Sequence, residues 1–237
     1  MNKPVIGITT AWSVETWNDS IESRGYNYAG RPYVEAIIDA GGMPVLIPPI
    51  SHADIDSLVD MVDGILFTGG GDAKRFTKEA MPSLREQQPT RYDFEAKLMQ
   101  AAVASDKPIL GICRGFQMLI EVFGGSLSDE VVDGHKQNLP GGEPWHKVNL
   151  VDGSLLNQIV KENDWKVNSF HVQKVEQVPE GFYATAISED GVIEAIERRG
   201  DQFIVGTQFH PEELLWGDAR ASAIFTSFIE KSLINRR

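Results

Sequence analysis

Short apolar runs alternate with stretches of helical spacing through the first half of the chain. Val5-Ile-Gly-Ile8 reads as a strand. Tyr33 to Ala40 reads as a helix stopped by Gly41-Gly42. Val45 to Ile47 is a strand bounded by prolines. Ile55, Leu58, Val59 and Val62 fall at i, i+3, i+4 and i+7, the spacing of a one-faced helix. Gly64 to Phe67 is a strand ending in Gly69-Gly-Gly71, and Phe94, Leu98 and Ala102 mark another helix. Ile109 to Ile112 then gives a buried strand and Phe116 to Phe123 a helix. Two stretches break the alternation. Thr10 to Gly30 is polar with scattered aromatics and reads as a loop near a site, and residues 72–90 read as irregular and charged.

Alternating strands and helices with short connections predict a parallel sheet covered by helices on both faces. The second half is richer in strands: His146 to Val151, Val167 to Val175, Tyr183 to Ile187, Val192 to Glu197 and Phe203 to Phe209. Asp190-Gly191 between two of them is a hairpin signal. Ile224, Phe225, Phe228 and Ile229 give a closing helix. The expected fold class is α/β, a mostly parallel sheet with a smaller antiparallel portion in the C-terminal half. No repeat or linker divides residues 1–237, so one domain is expected.

Composition narrows the partners. Hydrophobic content of 42% allows a sizeable core, while a net charge of -12 repels phosphate backbones and anionic membrane surfaces. Neither nucleic acid nor membrane is an expected partner; homodimerisation stays open. The first residues enter an apolar strand directly, without the apolar core of a signal peptide, and a single cysteine suits a reducing compartment. A cytoplasmic protein is expected. No zinc-motif spacing appears, so no metal is expected, and cysteine-based acyl chemistry needs no organic cofactor.

That one cysteine, Cys113, stands at an informative place. Gly111 lies two residues before it and Gly115 two after, between a predicted strand and a predicted helix. This is the G-x-S-x-G nucleophile elbow with sulfur in place of oxygen. The tight turn demands small flanking residues and lifts the nucleophile above the sheet edge. The helix behind it aims free N–H groups at the sulfur, the setting in which a thiol reacts as thiolate. A cysteine attacking an acyl carbon needs a base and a group that orients the base. Among His52, His135, His146, His171 and His210, the last ends a predicted strand, as Cys113 does, and Glu212 follows two residues later. The N–H of Arg114 and one from Gly69-Gly70-Gly71 are the candidate oxyanion donors.

Gly111-Ile-Cys-Arg-Gly-Phe-Gln117 and Gln208-Phe-His-Pro-Glu212 together resemble the class I glutamine amidotransferase-type domain over nearly the whole chain. Within that superfamily the chain is similar to the peptidase C26 branch, the γ-glutamyl-γ-aminobutyrate hydrolase type of putrescine breakdown. Thr68-Gly-Gly-Gly-Asp72, Arg91-Tyr-Asp-Phe-Glu95, Gly124-Gly-Ser-Leu127, His146-Lys-Val148, Val167-Asn-Ser-Phe-His171 and Asp190 to Glu197 extend the match. The resemblance implies a flavodoxin-like three-layer fold. It makes Cys113 the nucleophile, His210 the base and Glu212 its orienting carboxylate. It also places Gln117, Ser169 and His171 at the glutamyl group, and Arg91 and Arg114 are expected to counter substrate charge. The implied reaction is hydrolysis of a small γ-glutamyl amide through a thioester. The rivals are a glutaminase subunit serving a separate synthase and a non-enzymatic binding protein. Two departures, Val172 where the family has a second histidine and Ala73 to Thr77 where it has Val-x-Pro, concern the amine side. The segment Ala73 to Thr90 is expected to set amine specificity.

Overall fold

The computed structural model describes residues 3–16, 23–49, 54–70 and 82–235. In chain order they form β1 (Val5–Thr9), β2 (Ala11–Thr16), β3 (Ser23–Tyr28), α1 (Arg31–Asp39), β4 (Met43–Ile47), α2 (Ile55–Met61) and β5 (Gly64–Phe67). Next come α3 (Leu84–Gln87), α4 (Pro89–Ala104), β6 (Ile109–Ile112), α5 (Arg114–Val122), β7 (Ser126–Leu127), β8 (His146–Leu150) and α6 (Leu155–Val160). The chain continues with β9 (Asp164–Val167), β10 (Val175–Gln177), β11 (Phe182–Ser188), β12 (Ile193–Arg198), β13 (Ile204–Thr207), α7 (Pro211–Leu214) and α8 (Ala219–Ile234).

Nine strands make one sheet in the order β4-β1-β5-β6-β13-β12-β11-β8-β9. The first five run parallel. Each strand added beyond β13 is antiparallel to its neighbour. The fold is therefore α/β, and its antiparallel portion continues the parallel sheet instead of forming a separate layer.

Alternation along the buried strands builds a core on each face. Ile6, Ile8, Leu66, Leu110, Ile112 and Val205 pack with Ile37 of α1 and with Ile224, Phe225 and Phe228 of α8. Ile65, Phe67, Ile109 and Ile204 face the opposite way, onto Val59 of α2, Leu98 of α4 and Phe116 and Leu119 of α5. Successive side chains of a strand point to opposite faces, so a two-sided core needs these uninterrupted apolar runs. Among the described residues no helix is long and apolar enough to cross a membrane.

Three sequence expectations need correction. The segment from Thr10 to Gly30 is not a plain loop: β2 and β3 pair as an antiparallel hairpin in register from Ala11–Tyr28 to Thr16–Ser23. Its Trp12, Tyr26 and Tyr28 are exposed, so no apolar face announced the strands. The strand expected over Val167 to Val175 is interrupted. β9 ends at Val167, β10 begins at Val175, and only an isolated bridge from Phe170 to Lys136 lies between. The stretch 72–90 is also more regular than expected where it is described. Ser83 and Glu86 form a reciprocal capping box at α3, and α4 starts at Pro89. Residues 71–81, which hold Gly71 and Ala73 to Thr77, lie outside the described residues, as does His52.

Candidate active site

Cys113 is the residue between β6 and α5, with φ 52° and ψ -99°. A positive φ is costly for a residue with a β-carbon, and such outliers gather at functional sites. Here the surroundings enforce it. The Cys113 N–H donates to the Thr207 carbonyl at 2.7 Å, and its own carbonyl accepts from the Gln117 N–H at 3.0 Å. The strand pairing ends and the helix begins on one residue. The flanking glycines are required by contact: a Cβ on Gly115 would lie 2.2 Å from the Phe67 carbonyl oxygen, and one on Gly111 would lie 2.8 Å from Gly115.

β13 lies beside β6, with Gly206 opposite Gly111 and Thr207 opposite Ile112. The chain leaving β13 therefore carries His210 to the same sheet edge as Cys113. Glu212, in the first turn of α7, is buried, and its Oε1 lies 2.6 Å from His210 Nδ1. That bond commits Nδ1 to the carboxylate and leaves Nε2 for other work. Burial opposes charge on this imidazole. The Glu212 carboxylate and the neighbouring Cys113, which also shares a side-chain hydrogen bond with it, outweigh that and hold its pKa well above the ordinary histidine value.

Gly69 and Gly70 close a third side. A Cβ on Gly69 would stand 3.0 Å from His210 Cε1 and 3.5 Å from Cys113 Cβ. Gly70 has φ 133°, and a Cβ there would meet Arg91 Nη1 at 2.4 Å. Only glycine lets the backbone pass between the Cys113–His210 pair and that guanidinium. The β2–β3 hairpin starts beside it: the same hypothetical Cβ of Gly70 would lie 3.6 Å from Ala11 Cβ.

Arg91, expected at the substrate, lies beneath this loop instead. It is fully buried, and its Nη2 donates to the Thr68 carbonyl, Thr68 Oγ1 and the Gly69 carbonyl, each at 3.0 Å, while Nε donates to Glu95 at 2.8 Å. The Arg114 guanidinium is buried too. Its Nε lies 3.7 Å from Glu95 and its Nη1 donates to the Leu84 carbonyl. Burial pulls its pKa down to about 10, although Glu95 opposes the shift. Neither cation faces open space, so neither is placed to counter substrate charge. Removing Arg91 strips the glycine loop of its donors and Glu95 of its closer partner. Arg91→Ala is expected to cost about 3 kcal/mol in urea denaturation, the low end for a broken buried pair because Arg114 stays near Glu95. A loss under about 1 kcal/mol would show that the loop does not depend on it.

Two residues at the site escaped the sequence reading. Tyr33, from α1, accepts the Gly69 N–H on its hydroxyl at 3.0 Å and lies 3.5 Å from His210 Nδ1. Burial first, then the charges of Glu212 and Cys113, raise its pKa well above the phenolic value, so the hydroxyl keeps its proton for Glu212. Asn168 grips the backbone of His210 from both sides: its Oδ1 accepts the His210 N–H at 2.8 Å, and its Nδ2 donates to the His210 carbonyl at 2.9 Å. Tyr33→Phe removes the acceptor of a buried N–H beside Cys113. It is expected to lower kcat/KM about tenfold, the worth of one buried hydrogen bond. Unchanged kinetics would place the Tyr33 hydroxyl outside the working site.

The remaining expected site residues divide. Gln117, in the first turn of α5, donates to the Gln208 side chain at 3.1 Å, and among the described residues Gln208 Nε2 has no hydrogen-bond partner. Ser169 and His171 are buried with their polar atoms engaged inside the protein. Ser169 Oγ donates to the His135 carbonyl at 2.7 Å, and the His171 ring is held by Gln173 and Glu194. The structure thus brings Cys113, His210, Glu212, Gly69 and Gly70 together and sets Arg91, Ser169 and His171 behind them.

Comparison with known proteins agrees with this geometry. The Peptidase C26 family model matches residues 4–212. A protein of Schizosaccharomyces pombe, provisionally named a glutamine amidotransferase, is 36% identical over 89% of this chain and 85% of its own length. The γ-glutamyl-γ-aminobutyrate hydrolase PuuD of Escherichia coli K12 is 29% identical over 97% of this chain and 93% of its own. The crystal structure of a Thermoplasma acidophilum protein, provisionally named a GMP synthase subunit, shares the fold. It has a TM-score of 0.67 and 19% identity, covering 100% of this chain and 98% of that one. With a strand-turn-helix cysteine at one strand end and a histidine–glutamate pair at the next, the chain belongs to the Peptidase C26 family of glutamine amidotransferase-like hydrolases.

Proposed function

We propose that the protein hydrolyses a γ-glutamyl amide to glutamate and a free amine through a γ-glutamyl thioester on Cys113. The observation that carries this reading is the strained backbone of Cys113 facing a His210 already locked to Glu212 at 2.6 Å. His210 Nε2 takes the Cys113 thiol proton, the sulfur attacks the γ-carbonyl carbon, and the C=O bond opens to an oxyanion. The N–H of Arg114, in the first turn of α5, and that of Gly70 receive it; such a donor contributes ~10²-fold or more. As the C–N bond breaks, His210 Nε2 gives its proton to the departing amine. Water then attacks the thioester, His210 takes the proton, and the C–S bond breaks to release glutamate. The protein side of the balance is restored without a further reactant.

Gln117 and the unpartnered amide of Gln208 supply polar groups near the turn, and they suit the α-amino and α-carboxylate end of a glutamyl group. The amine side falls toward the β2–β3 hairpin, which begins beside Gly70. The residues 73–90, expected to govern amine choice, are described only from Pro82 onward. A panel of γ-glutamyl amides of γ-aminobutyrate, putrescine, ethanolamine, ammonia and an anilide, followed by glutamate release without any added protein, tests the proposal. Turnover of at least one amide with accumulation of a glutamyl-enzyme adduct is expected. Hydrolysis of none of them would overturn the reading.

A further inference from the structure

Behind the active site, four separate segments bring three histidines onto one buried carboxylate. Glu194 Oε1 lies 2.9 Å from His135 Nδ1, 3.2 Å from His171 Nε2 and 3.6 Å from His146 Nε2. His135 Nδ1 and His171 Nε2 are themselves 3.1 Å apart. The rings do not stack. His135 meets His146 at 71° and His171 at 55°, so their edges converge.

The outer nitrogens fix the tautomers. His171 Nδ1 lies 2.9 Å from the Gln173 carbonyl, which can only accept, so that nitrogen carries the hydrogen. His135 Nε2 lies 3.0 Å from the Asp190 carboxylate and carries its hydrogen for the same reason. In the neutral rings the inner nitrogens are then bare lone pairs. They face each other and a carboxylate oxygen at hydrogen-bond distance with no hydrogen to share. A proton on His135 Nδ1 would serve Glu194 Oε1 or His171 Nε2 and leave the 3.2 Å contact between those two unrelieved. It would leave His146 Nε2, which has no hydrogen-bond partner among the described residues, still aimed at the same oxygen.

A divalent cation relieves all of them at once. An ion with nitrogen and oxygen ligands at about 2.0–2.2 Å in a tetrahedron holds those ligands roughly 3.3–3.5 Å apart. The distances from Glu194 Oε1 to the three rings and from His135 to His171, 2.9 to 3.6 Å, straddle that value. The inner atoms of His135, His146 and Glu194 all lie within 4.8 Å of one another. Each of the two best-fixed rings also donates its outer N–H to a carboxylate or a carbonyl, the pattern that orients metal-bound histidines. We propose that His135, His146 and Glu194, with His171 packed beside them, form a structural site for a zinc-class divalent ion. Imidazole nitrogens and a carboxylate oxygen favour zinc over calcium or magnesium, which take oxygen shells. The site would tie the segment before β8, β8 itself, the stretch between β9 and β10, and β12 into one unit. That unit carries Asn168, which holds the backbone of His210.

The test uses the full chain with Cys113→Ala, so that the catalytic thiol cannot capture the ion. The protein is incubated with zinc chloride, desalted and assayed for metal by mass spectrometry. About one zinc per chain is expected to remain, with none in a Cys113→Ala/His146→Ala double variant. Asp190→Asn, a change at a half-exposed partner, should weaken zinc binding about 10- to 100-fold. Should the His146 variant not fold, zinc-edge X-ray absorption of the Cys113→Ala protein decides alone. A nitrogen and oxygen shell with two or more imidazoles supports the site, and one with fewer than two imidazoles overturns it. Failure of the Cys113→Ala protein to retain zinc, or equal zinc binding before and after Asp190→Asn, would also overturn it. None of these readouts depends on hydrolysis, so the proposed reaction stands or falls separately.

Discussion

Cys113→Ala is expected to lower kcat for γ-glutamyl amide hydrolysis by about 10⁶-fold, the loss seen when a covalent nucleophile is removed from a catalytic triad. The covalent route has no substitute for the sulfur: an alanine methyl can neither attack nor leave. The fold should survive, because the side chain is small and partly exposed. Stability within about 1 kcal/mol of the parent is expected. Alanine keeps a β-carbon on a backbone held at φ 52°, so it keeps the strain. Cys113→Gly should be equally inactive yet more stable than Cys113→Ala by about 1 kcal/mol. Measurable turnover by either variant, beyond a trace of contaminating enzyme, would refute the thioester mechanism. Mass spectrometry during turnover gives the complementary readout, an added glutamyl group on the parent protein and none on the variants.

His210→Ala is expected to be as damaging as loss of the nucleophile, and Glu212→Gln roughly 100-fold milder, since an orienting group costs less than the base it orients. The Cys113→Ala/His210→Ala double variant should be no worse than either single one, because the two groups act as a unit. The electrostatics provide a second measurement. Glu212 is the leading cause that raises the His210 pKa against burial. Histidine-resolved NMR should therefore find its titration midpoint well above 6.5 in the parent and lower in Glu212→Gln. The sign for stability follows from linkage. A group whose folded pKa is raised stabilises the protein fully below its unfolded value, near 6.5, and loses that contribution as pH rises through the folded value. The parent should thus exceed Glu212→Gln in stability most clearly at mildly acidic pH, with the gap narrowing above the raised midpoint. A gap independent of pH, with both midpoints at the ordinary value, would remove His210 from contact with a charged partner.

The parts of the site legible in the sequence are those encoded within a few residues. Gly111, Cys113 and Gly115 state the turn by their spacing, and His210-Pro-Glu212 places imidazole and carboxylate on one short stretch. The strand and helix alternation of the first half is equally plain, because strands buried on both faces must be continuous apolar runs. What stays hidden is assembled across the chain. Tyr33 reads as an ordinary member of an amphipathic helix, and nothing local shows that its hydroxyl meets Gly69. Asn168 lies in a stretch whose apolar neighbours suggest a strand, whereas its side chain is occupied with the backbone of His210. Arg91 has the charge of a substrate ligand, but its helix turns it under the glycine loop. The histidine cluster draws one residue from each of four segments, so no spacing rule could have gathered it.

Gly111 and Gly206 are register partners, yet almost half the chain separates them. The pairing that brings Cys113 beside His210 is therefore the most non-local in the nine-stranded sheet. Closing so long a loop is entropically slow, and pairings of this kind form late in folding. During synthesis the segment with Cys113 is made long before the strand that leads to His210. A partly made chain has Cys113 but not His210. On the proposed mechanism, hydrolysis is expected only from a chain whose sheet is complete.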